Sequence, residues 1–393
     1  MKRILPFALI LVSGAWMYAC SSSSSGDSPP ANNEQQGDAT TDGNTNGGDT
    51  KGDAGDSGAD VDVAPAQNPI EGAVAESVDG FPSIYGLIWN GDSLYFSSPD
   101  LTDTTTKPAT PTPVVIRYKP GSNLDGNGYP TAWYVDTTSV ATKSFYPLGI
   151  ANDEKGNLLF VSSPADTSGT LRHVAAGSAT MPVAVGNVSA MTLTFTTPPP
   201  GRATWYSPKN AVVRASDGTI YVTDPGYQWA QDPLNAIYRV TPGNPNTTGT
   251  VTTIDTFPGG DRPNGIALSP KADILYVSLT ENQPSIVKYA VKDDGTVDSN
   301  SKTTFGTLLP AGSQPDGLAV DTAGNVYVAM KEAVQVFAPD GTQWAGTITL
   351  PAGVAATTVA FGGSEGTTLY IGTDTGGGNF SGLYTATVKV KGL

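Results

Sequence analysis

The chain has 393 residues, with 21 Lys and Arg against 36 Asp and Glu, a net charge of −15, 46 Gly, 31 Pro, one Cys and one His. Gly and Pro at that density demand many turns and exclude a bundle of long helices. A lone Cys and a lone His exclude an internal disulfide and any His-pair or multi-Cys metal site, and the negative charge excludes nucleic acid as a partner, because phosphate binding needs clustered Lys and Arg.

Met1-Lys2-Arg3 followed by the apolar run Ile4 to Val12 has the basic and hydrophobic regions of an export signal, and the run is too short to span a bilayer. It ends in Ala19-Cys20, and Cys20 is the sole thiol of the chain. This resembles a bacterial lipoprotein signal. The resemblance implies that residues 1–19 are the signal peptide, that Cys20 is lipidated, and that the protein is exported and held at the cell envelope, touching membrane only through its lipid; the alternative is an ordinary signal peptide with an incidental Cys. Residues 20–69 follow as a tether rich in Ser, Gly and Asp; between residues 21 and 65 it carries nine acidic residues against Lys51. So little apolar surface cannot offset the entropy of ordering a chain, and disorder is expected.

From residue 70 to 393 one pattern recurs six times: a polar or bulky residue, a small residue, alternating apolar positions, a tight turn and a second alternating strand. The openings are Tyr85-Gly86, Leu148-Gly149, Asn210-Ala211, Asn264-Gly265, Asp316-Gly317 and the divergent Thr357-Thr358. Asn90-Gly91, Lys155-Gly156, Asp217-Gly218 and Ala323-Gly324 are hairpin turns between paired runs. A third alternating run follows in each unit, as in Val115 to Tyr118 and Val334 to Phe337. Each unit is a small antiparallel sheet unable to bury both faces alone, and six packed radially make an all-β, six-bladed β-propeller. Residues near Val74 to Val78 are expected to supply the closing strand.

The innermost strand of each blade begins at one mouth of the central channel. The opening residues therefore form a ring of Tyr85, Leu148, Asn210, Asn264, Asp316 and Thr357. Consecutive Asn, Asn and Asp offer the oxygen ligands that hard cations such as calcium or magnesium take, although Asn and Asp also begin turns for backbone reasons. The aromatic segment at Tyr227, with Gln228, Trp229, Trp205 and Tyr206, is either a lip that stacks on a ring-shaped substrate or a packed loop. His173 falls in a third run, equivalent to Tyr118 and Arg239, and reads as a strand residue.

Arg262-Pro263-Asn264-Gly265-Ile266-Ala267, Pro315-Asp316-Gly317-Leu318-Ala319-Val320-Asp321, and Asn210-Ala211-Val212-Val213 with Thr223-Asp224-Pro225-Gly226-Tyr227 resemble the senescence-marker-protein / gluconolactonase / luciferin-regenerating-enzyme family. The likeness spans residues 80–390 and is strongest over 205–375. It implies a six-bladed propeller holding one divalent cation in the channel and hydrolysing lactones. Carried across, Asn264 and Asp316 are metal ligands, with Asp316 also activating water, and Asn210 is a further ligand or a substrate contact. Tyr85 and Tyr227 are the remaining substrate-binding candidates. Calcium comes first, with magnesium, manganese or zinc as alternatives. The family's further ligand is a Glu in a Glu-Gly-Pro-x-Trp opening, and here Tyr85-Gly86-Leu87-Ile88-Trp89 has tyrosine in its place. Losing one of two carboxylates halves the formal ligand charge and weakens divalent binding. Two functions follow: a monomeric lactone or ester hydrolase acting on a small lactone or sugar-acid-like substrate, or a catalytically silent propeller that binds a ligand or a protein.

Overall fold

The computed structural model describes residues 67–78, 81–101, 112–122, 132–135, 147–153, 155–163, 170–174, 193–195, 205, 207–227, 235–241, 250–308, 310, 312–374 and 381–393. Residues 1–66, which include the expected signal peptide, Cys20 and most of the expected tether, lie outside the described residues. The architecture is an all-β propeller.

Period-two alternation with glycine turns makes hairpins, and the strands join into six four-stranded antiparallel sheets. A short strand β1 (Glu76–Val78) precedes the first, which is β2 (Gly86–Asn90), β3 (Ser93–Leu101), β4 (Thr112–Tyr118) and β5 (Ala132–Val135). The second is β6 (Pro147–Asn152), β7 (Leu158–Ser162), β8 (Thr170–Val174) and β9 (Leu193–Phe195). The third is β10 (Asn210–Val213), β11 (Ile220–Asp224), β12 (Asn235–Val240) and β13 (Val251–Phe257). The fourth is β14 (Pro263–Leu268), β15 (Ile274–Leu279), β16 (Ser285–Val291) and β17 (Val297–Thr304). The fifth is β18 (Leu318–Val320), β19 (Val326–Met330), β20 (Ala333–Phe337) and β21 (Ile348–Thr349).

The last sheet contains β22 (Ala355–Gly362), β23 (Thr368–Asp374) and β24 (Leu383–Thr387), and its fourth strand is β1. Glu76 pairs with Thr385, Ser77 with Tyr384 and Val78 with Leu383, so the strand expected near Val74 to Val78 ties the N-terminal end of the propeller to the C-terminal end. Residues just before 70 also contact the propeller: Asn68 Nδ2 donates to the Ala345 carbonyl, and the Pro69 carbonyl accepts from Lys389 N.

Apolar residues on both faces of each sheet pack against the neighbouring sheets. The core is therefore divided among the interfaces. Phe81, Leu87, Phe96 and Ile116 of the first sheet and its lead-in meet Tyr370 and Leu383 of the last. Tyr221 and Ile237 of the third meet Ile266 and Val277 of the fourth. Trp89 stacks on Tyr370 at 5.6 Å and 11° between first and last sheets, which reinforces the closure.

Two devices hold the inner strands together. At Gly265 and Gly317 the backbone of the next sheet occupies the site a side chain would take: a Cβ on Gly265 would lie 2.2 Å from the Asp316 carbonyl oxygen, and one on Gly317 2.7 Å from Thr358 Cα. The glycine of an opening, at Gly86, Gly149, Gly265 and Gly317, is thus a close-approach requirement, while the openings with Ala211 and Thr358 accommodate a side chain. In addition, hydroxyls on second strands reach to the next sheet's opening residue. Ser97 Oγ donates to the Leu148 carbonyl, Thr223 Oγ1 to that of Asn264 at 2.7 Å, and Ser278 Oγ to that of Asp316 at 2.7 Å. These serines and threonine are buried, so each bond satisfies a hydroxyl that water does not reach.

Candidate functional site

Asn210 and Asn264 begin β10 and β14, and Asp316 lies two residues before β18. Three successive sheets thereby bring their side chains to one end of the channel. Asn210 Nδ2 donates to Asn264 Oδ1 at 3.1 Å and to the Asn264 carbonyl at 3.2 Å. Asn264, buried, donates through Nδ2 to Thr280 Oγ1 at 3.1 Å and to the Tyr227 hydroxyl at 3.4 Å. Thr280 Oγ1 in turn donates to the Pro315 carbonyl at 2.9 Å, which holds the approach to Asp316. The residues two positions further along each opening, Leu87, Ile150, Val212, Ile266, Leu318 and Val359, line an apolar cavity of about 510 Å³ behind this polar mouth.

Asp316 Oδ1 is buried and has no hydrogen-bond partner. Burial drives the Asp316 carboxyl up to about 6, opposed by the positive charge of Lys209 and by the Asn264 amide and supported by the negative charge of Asp374. A carboxylate of that character accepts a proton near neutral pH and is suited to general-base work.

The rest of the ring differs from expectation. Thr357 does not present its hydroxyl to the channel: Oγ1 donates to the Ile84 and Gly372 carbonyls, joining the last sheet to the first. Leu148 is buried and apolar. Trp205 is not a lip residue. It is 1% exposed and packs edge-on against Tyr238 at 5.3 Å, in the interface between second and third sheets. Tyr227 does reach the mouth, with Arg262 over its ring at 4.8 Å, while Tyr206, Gln228 and Trp229 lie outside the described residues. His173 occupies the third strand of its sheet, paired in register with Leu159.

Lys209 was not among the expected site residues. It is only 7% exposed, and its Nζ lies 5.1 Å from the centroid of the Tyr85 ring. One sequence signal pointed to it: the position before the opening residue is Ile84, Pro147, Pro263, Pro315 and Ala356 in the other repeats, and a lysine breaks that pattern.

Of the oxygens that Asn210, Asn264 and Asp316 could offer a divalent cation, the buried one without a partner is Asp316 Oδ1. The other two residues bring only neutral amides. Asn264 Oδ1 already accepts from Asn210, and Asp316 is the sole carboxylate of the ring. Tyr85 lies under an ammonium whose charge acts on Asp316. Among the described residues no three His, Cys, Asp or Glu side chains come together in a way that could hold a metal. The expected calcium site is one carboxylate short and already shares its space with a cation.

The family model for the SMP-30/gluconolactonase/LRE-like region matches residues 149–375. The chain is 30% identical over 185 residues to a gluconolactonase of Zymomonas mobilis subsp. mobilis, a match covering 42% of this chain and 48% of that protein; it spans about half the length of that relative. A solved structure of a gluconolactonase from Xanthomonas campestris shares the fold at a TM-score of 0.59 and 20% identity, covering 82% of this chain and 92% of that one. A calcium-binding regucalcin from Agrobacterium tumefaciens shares it at 0.54 and 14%, covering 80% and 92%. Because the matched region runs from the second sheet through the end of β23 and exceeds half of the sequence, the chain belongs to the SMP-30/gluconolactonase/LRE-like family.

Proposed function

We propose that this protein hydrolyses lactones, or closely related carboxylic esters, at the polar mouth of the propeller channel, with Asp316 as general base. The observation that carries the reading is the buried, unpartnered Asp316 Oδ1 on a carboxyl raised to about 6. Above that pH the carboxylate takes a proton from water as the water oxygen bonds to the lactone carbonyl carbon. The ring C–O bond then breaks, the proton returns to the departing alkoxide, and a hydroxy acid leaves. Asn210 and Asn264, braced on each other, Thr280 and Tyr227, keep the walls of this mouth in place. The gluconolactonase relative supports a sugar lactone as the substrate class. No step is routed through a metal. The measurement is a panel of five- and six-membered sugar lactones with purified full-length protein, followed by Asp316→Asn. Turnover by the wild type and its loss in the variant is the expected result; an unreactive wild type refutes the reading.

The second reading is a propeller that binds a small polar ligand without turnover. Tyr85 favours it, because a phenol stands where the family places a carboxylate. Ligand-dependent stabilisation with no product is its signature.

At the cell, residues 1–19 act as the export signal, and lipidation of Cys20 anchors the protein to the bacterial envelope through the acidic tether. The support is the position of the sole thiol, after Ala19 and a few residues beyond a short apolar run. Cys20→Ser is expected to release the protein from the membrane fraction, and continued fractionation with membranes refutes the anchor.

A further inference from the structure

Lys209 is a buried ammonium, and among the described residues no carboxylate lies within ion-pair distance of it. Taking such a charge out of water costs several kcal/mol unless something compensates. Two compensations are present: the face of the Tyr85 ring at 5.1 Å, and the charge of Asp316, on which Lys209 acts electrostatically. Neither is a direct hydrogen bond. Asp316 Oδ1 is in the complementary position, a buried acceptor with no donor. One channel mouth therefore contains a cation and an anion that attract each other while each keeps hydrogen-bonding capacity free.

A carbonyl oxygen fits the cation, and a water molecule fits the anion. The substitution at residue 85 is consistent with this arrangement, since an aromatic face accommodates an ammonium where a carboxylate would recruit a metal.

We propose that the Lys209 ammonium is the resident cation of the channel: it offsets the charge of Asp316, donates to the substrate carbonyl oxygen, and takes the place of a divalent metal. The inference rests on the hydrolase reading. As water attacks and Asp316 removes its proton, the negative charge that develops on the carbonyl oxygen is held by Lys209 Nζ, which keeps its own protons throughout. The C–O bond to the ring oxygen then breaks, Asp316 returns its proton to that oxygen, and lactone plus water has become hydroxy acid. No oxidant, reductant or metal enters the balance.

The test combines calcium titration with hydrolysis on full-length protein purified through chelator. Wild type is expected to show no calcium binding tighter than about 1 mM, and its turnover should be unchanged by EDTA. Lys209→Met is expected to lower kcat by ~100-fold or more, the scale of removing one donor to a developing oxyanion. Tyr85→Glu alone should remain unable to bind calcium because Lys209 neutralises the new carboxylate. Lys209→Met combined with Tyr85→Glu should bind it at least ~10-fold more tightly than either single variant.

Stoichiometric micromolar calcium in the wild type overturns the proposal, as does calcium binding by Tyr85→Glu alone or full turnover by Lys209→Met. If Lys209→Met does not fold, the wild-type and Tyr85→Glu titrations still decide the matter. If the wild type hydrolyses no lactone, the hydrolase reading has failed, and the four titrations still show whether Lys209 excludes the metal.

Discussion

Replacing Asp316 with asparagine keeps the shape of the side chain and removes its ionisation, so it separates what the carboxylate does for catalysis from what it costs the fold. The Asp316 carboxyl stands at about 6 in the folded protein against 3.8 for the ordinary group, a displacement of about 2 units. At 1.36 kcal/mol per unit, ionising it in place costs roughly 3 kcal/mol more than ionising it in the unfolded chain. The attraction of Lys209 is already contained in that net value. A raised folded value means that the fold favours the protonated carboxyl. Stability is therefore greatest below 3.8, declines as the pH climbs to about 6, and is level above that. Asp316→Asn mimics the protonated form at every pH. It should match the wild type near pH 4 and exceed it at pH 8 by up to roughly 3 kcal/mol. With an unfolding entropy of ~2.1 cal/mol/K per residue over roughly 320 propeller residues, that is a rise in Tm of ~4 °C. Thermal melts of both proteins at pH 4.5 and pH 8 measure the difference, and lactone assays on the same samples should find no turnover in the variant. If the two proteins melt together at pH 8, the carboxylate is not paying a desolvation cost and the argument for a poised base fails.

Other consequences can be measured on the same preparations. The kcat/KM of the wild type should rise with pH through a single step near 6, the value of the Asp316 carboxyl, and a profile flat from pH 5 to 8 would exclude Asp316 as the base. Gly265→Ala places a Cβ 2.2 Å from the Asp316 carbonyl oxygen, so the start of the fifth sheet must shift. A loss of ~1–3 kcal/mol by chemical denaturation and a collapse of turnover are expected, and wild-type values would show that the mouth is not rigid. Ser278 Oγ accepts from Gly265 N and donates to the Asp316 carbonyl, each at 2.7 Å. Ser278→Ala leaves both groups buried and unsatisfied, and a loss of ~1–3 kcal/mol in the same denaturation measurement is expected.

The hairpins and the propeller were legible because their determinants are local. Alternation marks a strand from its own residues. Turns such as Asp217-Gly218 and Ala323-Gly324 carry glycines at φ of 73° and 86°, which other side chains rarely adopt. The recurrence of Asn210, Asn264 and Asp316 at the openings could be read from the sequence: all three lie at or just before the start of an inner strand, and radial packing brings such equivalent positions near one another. The role of the small residue after each of them was only half visible: its recurrence was plain, but that the next sheet's backbone lies within 2.2 Å of the missing Cβ at Gly265 depends on how two sheets meet.

Side-chain direction was decided by tertiary structure. Thr357 holds a ring position by spacing, yet its hydroxyl finds unsatisfied carbonyls at the seam between last and first sheets and turns there. For Trp205 the sequence left a lip and a packed position equally open, and the structure takes the second, because burying a large apolar ring between two sheets is worth more than leaving it at a wet mouth. Lys209 broke a repeat pattern that sequence alone could register without explaining. Its function depends on the Tyr85 ring and the Asp316 carboxylate, supplied by two other sheets, and no local periodicity records which distant groups will share a low-dielectric channel with a long side chain.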